Sequence, residues 1–408
     1  METTDVLISG AGIAGTALAH WLHRAGFTPT IVERAPAPRP GGQTVDLRGA
    51  GRTVVERMGL MPQARAVTVD QRGLALVDGR GRITARMPVD AFGGEGIVSE
   101  IEILRGDLAR VLYDATAPDT EYLFDDTATA LDEDADGVTV TFEKAAPRRF
   151  ALVVGADGLH SAVRGLAFGP EEQCVRQLDC FISWFTVDSE DMDLDGWFLM
   201  YNAPGGLVAS ARPGRLPGEV KAGLAFRSAE PLRYDRRDTE AQRELVARRF
   251  AHVTGWEVPR LLAGMRTAPD FAFDSLGQVH LDRWSRGRVV LLGDAGYCPT
   301  PLTGLGTSLA LVGGYLLAGE LAAARGDHRA AFAAYERLMR PYVATSQQLP
   351  PGGTGGYAPR SALAIRMRAA SMRWMTRWPL RNAMAAQFAK AGDIALPEYS
   401  DLTPVHPG

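Results

Sequence analysis

The feature that most constrains the fold is a glycine-rich turn near the N-terminus. The apolar segment DVLIS at 5–9 reads as a buried parallel strand, and the turn GAGIAG follows at 10–15. A helix is predicted from Ile13 to about Ala25, and the next strand, PTIVE, ends in Glu33. A strand, a glycine turn, a helix, a second strand and an acidic residue in this order are typical of a dinucleotide-binding unit.

Each part of this unit has a physical role in holding a dinucleotide. The glycines allow the tight turn, the close approach of a pyrophosphate and the close packing of helix on strand. The helix N-terminus presents free N–H groups to phosphates, and the acidic residue can accept a hydrogen bond from a ribose hydroxyl. The residues predicted to contact the dinucleotide are Gly10, Gly12, Ile13, Ala14, Gly15 and Glu33. The alternative is a glycine turn that binds no ligand.

Two more glycine turns follow apolar runs later in the chain. GADGLHSAVR occupies 155–164 directly after the strand-like run ALVV, and GDAG at 293–296 follows GRVVLL. The segment 301–324 is predicted to be an apolar helix that opens with glycines. A nicotinamide dehydrogenase would instead continue from the first unit with further βα units. Here residues 34–51 are predicted to form a long loop rich in Pro and Gly.

The remaining segments are predicted to be a mixture of hairpins and helices. Hairpins are predicted at 75–87 and 127–144, where the strands flank glycine-containing turns, and a helix at 105–115. Residues 176–275 are rich in strand-forming and aromatic residues, with a helix at 239–253. The sequence therefore predicts a mixed α/β chain with a second, sheet-rich region.

Composition places the chain among ordinary globular proteins. Of 408 residues, 46% are hydrophobic and 23% are charged, and the net charge of −4 gives no footprint for nucleic-acid binding. Cys174, Cys180 and Cys298 have no regular spacing, which favours a reducing compartment. No secretory leader precedes DVLISG, and the longest apolar run is too short to cross a bilayer, so we expect a cytoplasmic protein without membrane insertion.

In order and spacing, the three glycine turns resemble those of the single-component (group A) FAD-dependent aromatic monooxygenases, which have the para-hydroxybenzoate hydroxylase fold. The matching motifs are Gly10–Gly15 with Glu33, Asp157-Gly158-x-x-Ser161-x-x-Arg164, and Gly293-Asp294 with Pro301 and Gly304-x-Gly306. GGQTVDL at 41–47 and LRGDL at 104–108 are most similar to the branch that inactivates tetracyclines and tailors aromatic polyketides. Departures from the family pattern are Tyr297 in place of His, Ser308 in place of Asn and Gly313 in place of Asp.

The resemblance implies a fold class and a division into domains. It implies an α/β protein in which a Rossmann-like FAD-binding domain carries an inserted β-sheet substrate domain and a C-terminal helix. The FAD-binding domain is assigned to 1–70, 98–175 and 276–345, the substrate domain to 71–97 and 176–275, and the linker with the C-terminal helix to 346–408.

The resemblance also implies which residues surround the cofactors. FAD and nicotinamide contacts are assigned to Arg34, Arg39, Asp46, Arg105, Asp157, Gly158, Arg164, Gly293, Asp294, Gly304, Leu305, Gly306 and Thr307. Arg105 would bond phosphate or ribityl oxygens of FAD, Asp294 would accept from a ribityl hydroxyl, and Arg39 would contact the nicotinamide cofactor. The alternative for Arg105 is a solvated arginine at a helix start, and the alternative for Asp294 is a helix N-cap. For Arg39 it is a solvated basic loop, and for Asp46 a turn-stabilising role. Pro301 would lie at the reacting edge, its carbonyl near the transferring oxygen, and no metal site is expected.

The implied activity is hydroxylation of an aromatic ring with NADPH or NADH and O2, through a flavin C4a-hydroperoxide. The polyketide branch implies a bulky polycyclic aromatic small molecule as substrate. Large apolar side chains of the sheet region are expected to line its pocket, among them Trp184, Phe185, Trp197, Phe198, Met200 and Phe226. Arg212 and Arg215 flank a Pro-Gly turn and are expected to face solvent.

Other functions stay open on the sequence alone. One alternative is a flavin-dependent oxidoreductase without oxygen insertion, and another is a non-catalytic flavoprotein that sequesters aromatic drugs. Baeyer–Villiger oxidation or oxidative degradation in place of hydroxylation, and a monomeric or homodimeric state, are equally undecided.

The C-terminal region begins with a turn-rich linker, PPGGTGGYAP at 350–359. An amphipathic helix is predicted after it, with apolar residues at Leu363, Met367, Ala370, Trp374 and Trp378 and basic residues at Arg366, Arg373, Arg377 and Arg381. We expect this helix to lie across both domains, and attachment to a membrane surface is the alternative.

Overall fold

The structure is a computed structural model that describes residues 5–375 except 93, 95, 97, 189–191 and 231, together with residue 392 and residues 394–402. The strands within these residues are β1 (Asp5–Ser9), β2 (Thr28–Glu33), β3 (Thr44–Asp46), β4 (Gly73–Val77), β5 (Ile83–Pro88), β6 (Glu102–Leu104), β7 (Glu121–Phe124), β8 (Ala128–Glu133), β9 (Val138–Phe142), β10 (Arg148–Phe150), β11 (Leu152–Gly155), β12 (Val175–Asp188), β13 (Trp197–Ala203), β14 (Leu207–Pro213), β15 (Glu219–Arg227), β16 (Ala272–Val279), β17 (Ser285–Arg286) and β18 (Val289–Leu291). The helices are α1 (Ile13–Arg24), α2 (Gly49–Met58), α3 (Met61–Ala66), α4 (Arg105–Thr116), α5 (Ala162–Phe168), α6 (Thr239–Phe250), α7 (Val258–Thr267), α8 (Asp294–Tyr297), α9 (Gly306–Ala323), α10 (His328–Ser346), α11 (Gly353–Tyr357) and α12 (Ala362–Met375).

A six-stranded sheet carries all three glycine turns. Its strand order is β17-β18-β11-β1-β2-β7, and every neighbouring pair is parallel except β17 with β18. Strands β1, β11 and β18 are apolar and buried, as parallel strands covered by helices are. In register, Ser9 pairs with Gly155, and Gly155 pairs with Leu291. The three turns therefore leave the sheet side by side, from the carboxyl ends of adjacent strands.

Helices α1 and α9, which each follow a glycine turn, pack against each other on this sheet. Their backbones approach so closely that a β-carbon added at Gly314 would lie 3.1 Å from the Leu18 amide nitrogen. Helix α9 is apolar on all sides because α1, α2 and α10 surround it. By length and composition α9 could span a membrane, but 78% of it is buried inside the described protein, which is typical of a core helix.

A seven-stranded sheet forms the other large layer, in the order β16-β12-β15-β14-β13-β4-β5. Its strands pair antiparallel, apart from β13 with β4. Helices α6 and α7 cover one face and α12 covers the other. We call the apolar residues under α12 the inner layer, which includes Ile182, Trp184, Phe198, Met200, Leu302 and Tyr357. Because Leu302 follows Pro301, the inner layer reaches the third glycine turn.

Several short elements differ from the sequence predictions. The predicted loop at 34–51 contains β3 and the start of α2, and the predicted linker at 350–359 contains α11. Elements of three to five residues are too short to show a periodic pattern, so the sequence gives no sign of β3 or α11. Smaller antiparallel sheets, β10-β9-β8 and β3-β6, complete the described strands.

Helix α12 presents apolar residues of its predicted stripe to solvent. Leu363, Met367 and Trp374 are 68%, 63% and 60% exposed. Ala369 and Met372 lie against the seven-stranded sheet instead. Spacing shows that a helix has an apolar stripe, but a partner surface decides which side is buried. Arg377, Trp378 and Arg381 lie outside the described residues.

Candidate functional site

The three glycine turns meet and form the floor of a cleft. Gly10 has a φ of +109°, and a β-carbon added there would lie 2.6 Å from the Ala156 carbonyl oxygen of the second turn. Gly293 has a φ of +64°, and its added β-carbon would lie 3.0 Å from Cβ of Ala14. Glycine is required at both positions, because any side chain would push the turns apart.

The N-terminus of α1 is open toward this cleft. Its N-cap, Gly12, supplies no side-chain hydrogen bond, so the first amides of the helix keep their donors for a ligand. Glu33 lies beside the turn at the end of β2, and its carboxylate accepts from the amides of Ala11 (2.9 Å) and Ala35 (2.8 Å). These bonds fix the carboxylate next to a group bound at the helix start.

Charged side chains from four separate segments converge on the cleft. Arg39 Nη2 lies 3.7 Å from Glu33 Oε1, and the Arg105 guanidinium lies 3.8 Å from a β-carbon added at Gly12. Burial lowers the pKa of Arg105, whereas Asp294 acts in the opposite direction. Burial raises the pKa of Asp294, and Arg105 opposes this rise.

Arg105 and Asp294 combine depth with access to solvent. Both lie deep enough for burial to be the largest influence on their pKa values, yet both side chains are exposed. Charged side chains in such positions line a deep open cleft. A ligand bound there could contact both the Arg105 guanidinium and the Asp294 carboxylate.

The third turn leads into α9 with an N-terminus that no side chain caps. Gly306 opens the helix after the N-cap Leu305, and a β-carbon added at Gly306 would lie 3.8 Å from Asp294 Oδ1. Because the partial positive charge of a helix lies at this end, the first amides of α9, including that of Thr307, favour negative charge in the cleft. Between Asp294 and Gly304, Thr300 has a φ of +77°, and its buried hydroxyl has no partner among the described residues.

Asp46 lies between the third turn and the seven-stranded sheet. Its carboxylate forms an ion pair with Arg48, accepts from the Ser99 amide at 3.3 Å, and lies 3.3 Å from a β-carbon added at Gly304. Gly304 has a φ of +67°, so a side chain there would be strained as well as crowded. Asp46 therefore joins the cleft to the turn that holds Pro301.

Glu102 is a functional candidate that sequence reasoning misses. It is 3% exposed, and Arg212 Nη1 donates to its carboxylate at 2.8 Å. Burial raises the pKa of Glu102 to about 7; Arg212 lowers it, and the neighbouring Asp46 carboxylate raises it further. Only the register of β3 against β6, which pairs Asp46 with Glu102, brings these carboxyl groups together.

The expectation that Arg212 faces solvent is wrong, because this residue is largely buried. Its side chain is 17% exposed, and its guanidinium lies 3.8 Å from the centre of the Phe198 ring. Arg215, at the other end of the same turn, is about half exposed and pairs with Asp107 at 3.0 Å. Arg212 belongs to β14 and points toward the inner layer because its ion pair with Glu102 is buried there.

Asp157 and Arg164 hold the second turn together through hydrogen bonds to protein groups. The Asp157 carboxylate accepts from the amides of Ala162 (2.7 Å) and Val163 (3.2 Å) and from the Ser161 hydroxyl. The buried Arg164 donates to the Leu159 carbonyl at 2.6 Å and, in the third turn, to the Ala295 carbonyl at 3.0 Å. Their partners are protein groups, so both residues position the turns, while Gly158 (φ +84°) has open space beside it.

Arg34 lies apart from the other predicted residues, at a cavity of about 290 Å³ on the second turn. The residues lining this cavity are Arg34, His160, Arg236, Arg237, Phe273 and Asp274. His160 bridges Glu171 (3.0 Å) and Asp274 (2.9 Å), and these carboxylates raise its pKa against the effect of burial. The sequence places His160 inside a glycine motif, but gives no signal for Arg236 and Arg237.

Two departures from the family pattern fit each other. A β-carbon added at Gly313 would collide with the Tyr297 hydroxyl and would lie 2.8 Å from Cδ1 of Leu292. The Tyr297 hydroxyl bonds the Tyr335 hydroxyl at 2.8 Å in a buried site. Tyrosine at 297 therefore requires glycine at 313, and Tyr297 packs under α9, away from the cleft. Ser308 bonds the Arg48 carbonyl at 3.2 Å, which ties α9 to the Asp46 segment.

The predicted pocket residues divide between the two faces of the seven-stranded sheet. Trp184, Phe198 and Met200 belong to the inner layer, next to Leu302. Phe185, Trp197 and Phe226 instead pack under α6 and α7, and we correct their assignment to the pocket. Neighbouring residues of a strand point to opposite faces, so the register had to be known. Among the described residues no group of three or more His, Cys, Asp or Glu could hold a metal ion.

The chain matches known proteins over most of its length. A family model, the FAD binding domain, matches residues 3–346. An uncharacterized protein of Mycobacterium tuberculosis is 48% identical over 358 residues, covering 87% of this chain and 94% of that protein. A flavin-dependent monooxygenase of Legionella longbeachae is 37% identical over 348 residues, covering 85% of this chain and 88% of that protein. The crystal structure of tetracycline destructase Tet(55) is similar with a TM-score of 0.80 and 35% identity, covering 97% of this chain and 99% of that chain.

Proposed function

Because this chain belongs to the FAD-binding domain family and is an FAD-dependent monooxygenase, we propose that it uses NADPH or NADH and O2 to hydroxylate a bulky polycyclic aromatic small molecule. The observation that carries the proposal is the position of the inner layer. Its apolar side chains reach Leu302, directly after Pro301, in the same glycine turn that carries Asp294.

The cleft fits FAD by the chemistry of its donors and acceptors. We propose that the amides at the start of α1 and the Glu33 carboxylate hold the ADP half, and that Arg105 and Asp294 hold the phosphate and ribityl oxygens. The uncapped start of α9 would then lie at the flavin end, where it favours negative charge. FAD, when bound, supplies the redox chemistry by which NAD(P)H is consumed and O2 is activated. The chain itself binds the substrate, orients it toward the cofactor and excludes water from the site.

The cavity at Arg34 is our proposed docking site for the phosphates of NADPH or NADH. Three arginines and a histidine line it, and it adjoins the second glycine turn. Arg39 lies on the same loop as Arg34 and beside Glu33, and we propose that it contacts the dinucleotide as it reaches the flavin. Replacing Arg236 by Gln is expected to raise KM for NAD(P)H and leave FAD content unchanged, whereas Arg248→Gln on the exposed side of α6 alters neither.

The division of labour between the two sheets is also part of the proposal. The six-stranded sheet would bind FAD and the seven-stranded sheet would bind the substrate, with α12 as the outer wall of the pocket. An apolar wall contributes affinity in proportion to the area it buries, about 25 cal/mol per Å². Fused aromatic rings supply such area without internal flexibility.

The test is NAD(P)H oxidation by the FAD-loaded protein, with detection of oxygenated product by mass spectrometry. Tetracyclines and anthracyclines are compared with a simple hydroxybenzoate. We expect the tetracyclic compounds to accelerate oxidation and to yield oxygenated product. Oxidation without oxygenated product would identify an oxidoreductase that inserts no oxygen, and binding without turnover would identify a sequestering flavoprotein. Efficient coupled turnover of the hydroxybenzoate alone would refute the substrate class.

A further inference from the structure

The inner layer contains one arginine whose charge no described carboxylate balances. Arg368 lies on α12, next to Ala369, on the side of the helix that faces the seven-stranded sheet. Its Nη1 donates to the Asn202 side-chain oxygen, and its Nη2 lies 3.1 Å from the Met200 sulfur. Both partners are neutral, and no described Asp or Glu forms an ion pair with Arg368.

Three other arginines with little exposure have carboxyl partners. Arg48 pairs with Asp46, Arg164 Nη2 lies 3.8 Å from Glu171, and Arg212 pairs with Glu102. Arg368 has the neutral phenol of Tyr357 as the neighbour that favours its charge, and burial lowers the pKa of Arg368 to about 10. Holding a guanidinium in such a place costs stability, so the fold gains nothing from its charge.

The position of Arg368 is that of a group that would meet the substrate. Its partners Met200 and Asn202 are every second residue of β13 after Phe198, so all three lie on the inner face of that strand. The residues between them lie on the opposite face. Arg212 stands over Phe198, so the two guanidinium groups contact side chains on the same face of the same strand. Arg212 has the Glu102 carboxyl group as its partner, which leaves Arg368 as the cation of the inner layer that has no carboxyl partner among the described residues.

We infer that Arg368 binds an anionic oxygen of the substrate, so that the substrate class is a polycyclic aromatic carrying an ionised carboxylate, enolate or phenolate. This inference rests on the proposed function, because it assumes that the inner layer is the substrate pocket. A planar guanidinium with free N–H groups pairs with such an oxygen by charge-assisted hydrogen bonds, which are strong where water is excluded.

The test compares two probes of equal size on the FAD-loaded protein, anthracene-2-carboxylate and anthracene-2-carboxamide. Binding is followed by the change in flavin absorbance or fluorescence. The wild-type protein is expected to bind the carboxylate more tightly. Arg368→Gln, which keeps a donor for Asn202, is expected to weaken the carboxylate about 10- to 100-fold and to leave the amide unchanged. The control Arg366→Gln, on the exposed side of α12, is expected to change neither affinity.

A measurement without ligand separates recognition from a structural role. The melting temperature of Arg368→Gln is expected not to fall, since the variant removes an uncompensated charge. A fall in melting temperature with equal weakening of both probes would show that Arg368 only fastens α12 and would overturn the inference. Equal affinity of the wild-type protein for both probes would overturn it as well, and leave the polycyclic substrate class standing. If neither probe bound, the proposed substrate class would be wrong and the inference with it.

Discussion

The carboxyl pair of Asp46 and Glu102 predicts an unusual dependence of stability on pH. Glu102 faces Arg212, Asp46 and Thr44, and its burial raises its pKa from 4.5 to about 7 in the folded protein. The folded state therefore holds a proton that the unfolded state releases between these values. The contribution of Glu102 to the free energy of unfolding is complete below pH 4.5. As the pH rises toward 7, this contribution falls by about 1.4 kcal/mol per pH unit, and by about 3 kcal/mol in all.

The perturbation that tests this is Glu102→Gln, which mimics the protonated carboxyl group at every pH. The variant and the wild-type protein are unfolded in urea at pH 5 and at pH 8, with FAD saturating. We expect similar free energies of unfolding at pH 5 and a more stable variant at pH 8, by up to about 3 kcal/mol. Glu100→Gln, at a side chain that is 61% exposed, is the control and is expected to show no such difference.

The opposite order of stabilities would contradict a raised pKa of Glu102. A variant that is less stable than the wild-type protein at pH 8, and closer to it at pH 5, would show that the ion pair with Arg212 outweighs burial. The pKa of Glu102 would then lie below its ordinary value, and the carboxylate would be a structural anchor for Arg212.

Three more variants test the cleft and its supports. Asp294→Ala removes a charged acceptor and is expected to weaken FAD binding about 10- to 100-fold, measured by fluorescence titration of the apoprotein; unchanged affinity would remove Asp294 from the site. Asp157→Ala leaves the amides of Ala162 and Val163 without their acceptor, and is expected to slow anaerobic flavin reduction by NAD(P)H or to weaken FAD; normal reduction and FAD content with lost hydroxylation would contradict this. Gly313→Ala is expected to lower the free energy of unfolding in urea by about 1 to 2 kcal/mol, because the cost of overpacking exceeds the gain in helix propensity. This cost should be smaller in a Tyr297→Phe background, where the colliding hydroxyl is absent. An equal cost in both backgrounds would show that the two residues are independent.

The parts of the molecule that the sequence predicts well are those fixed by local physics. The first strand, glycine turn and helix follow from residues that are neighbours in the chain, and β1 and α1 begin where the pattern indicates. The hairpins at β4–β5 and β8–β9 are predicted by their turn residues. The resemblance to a known family supplied the order of the three turns.

The parts that could not be predicted depend on long-range packing. Arg212 and Glu102 are 110 residues apart, and only the folded sheets bring them together. Phe198 and Trp197 lie on opposite faces of the seven-stranded sheet. Which of them faces the inner layer depends on strand register, which a single sequence does not fix. In the same way, α12 buries Ala369 because a sheet lies there, although its spacing favours the stripe of Leu363 and Met367.

Transfer of oxygen from O2 to the substrate is measured by the mass of the product formed under ¹⁸O2. The FAD-loaded protein is supplied with NADPH or NADH and a polycyclic aromatic substrate that accelerates its oxidation. We expect a product that carries one labelled oxygen atom from O2, formed in proportion to the NAD(P)H consumed. A product without labelled oxygen, or NAD(P)H consumption that yields only hydrogen peroxide with every substrate, would contradict it.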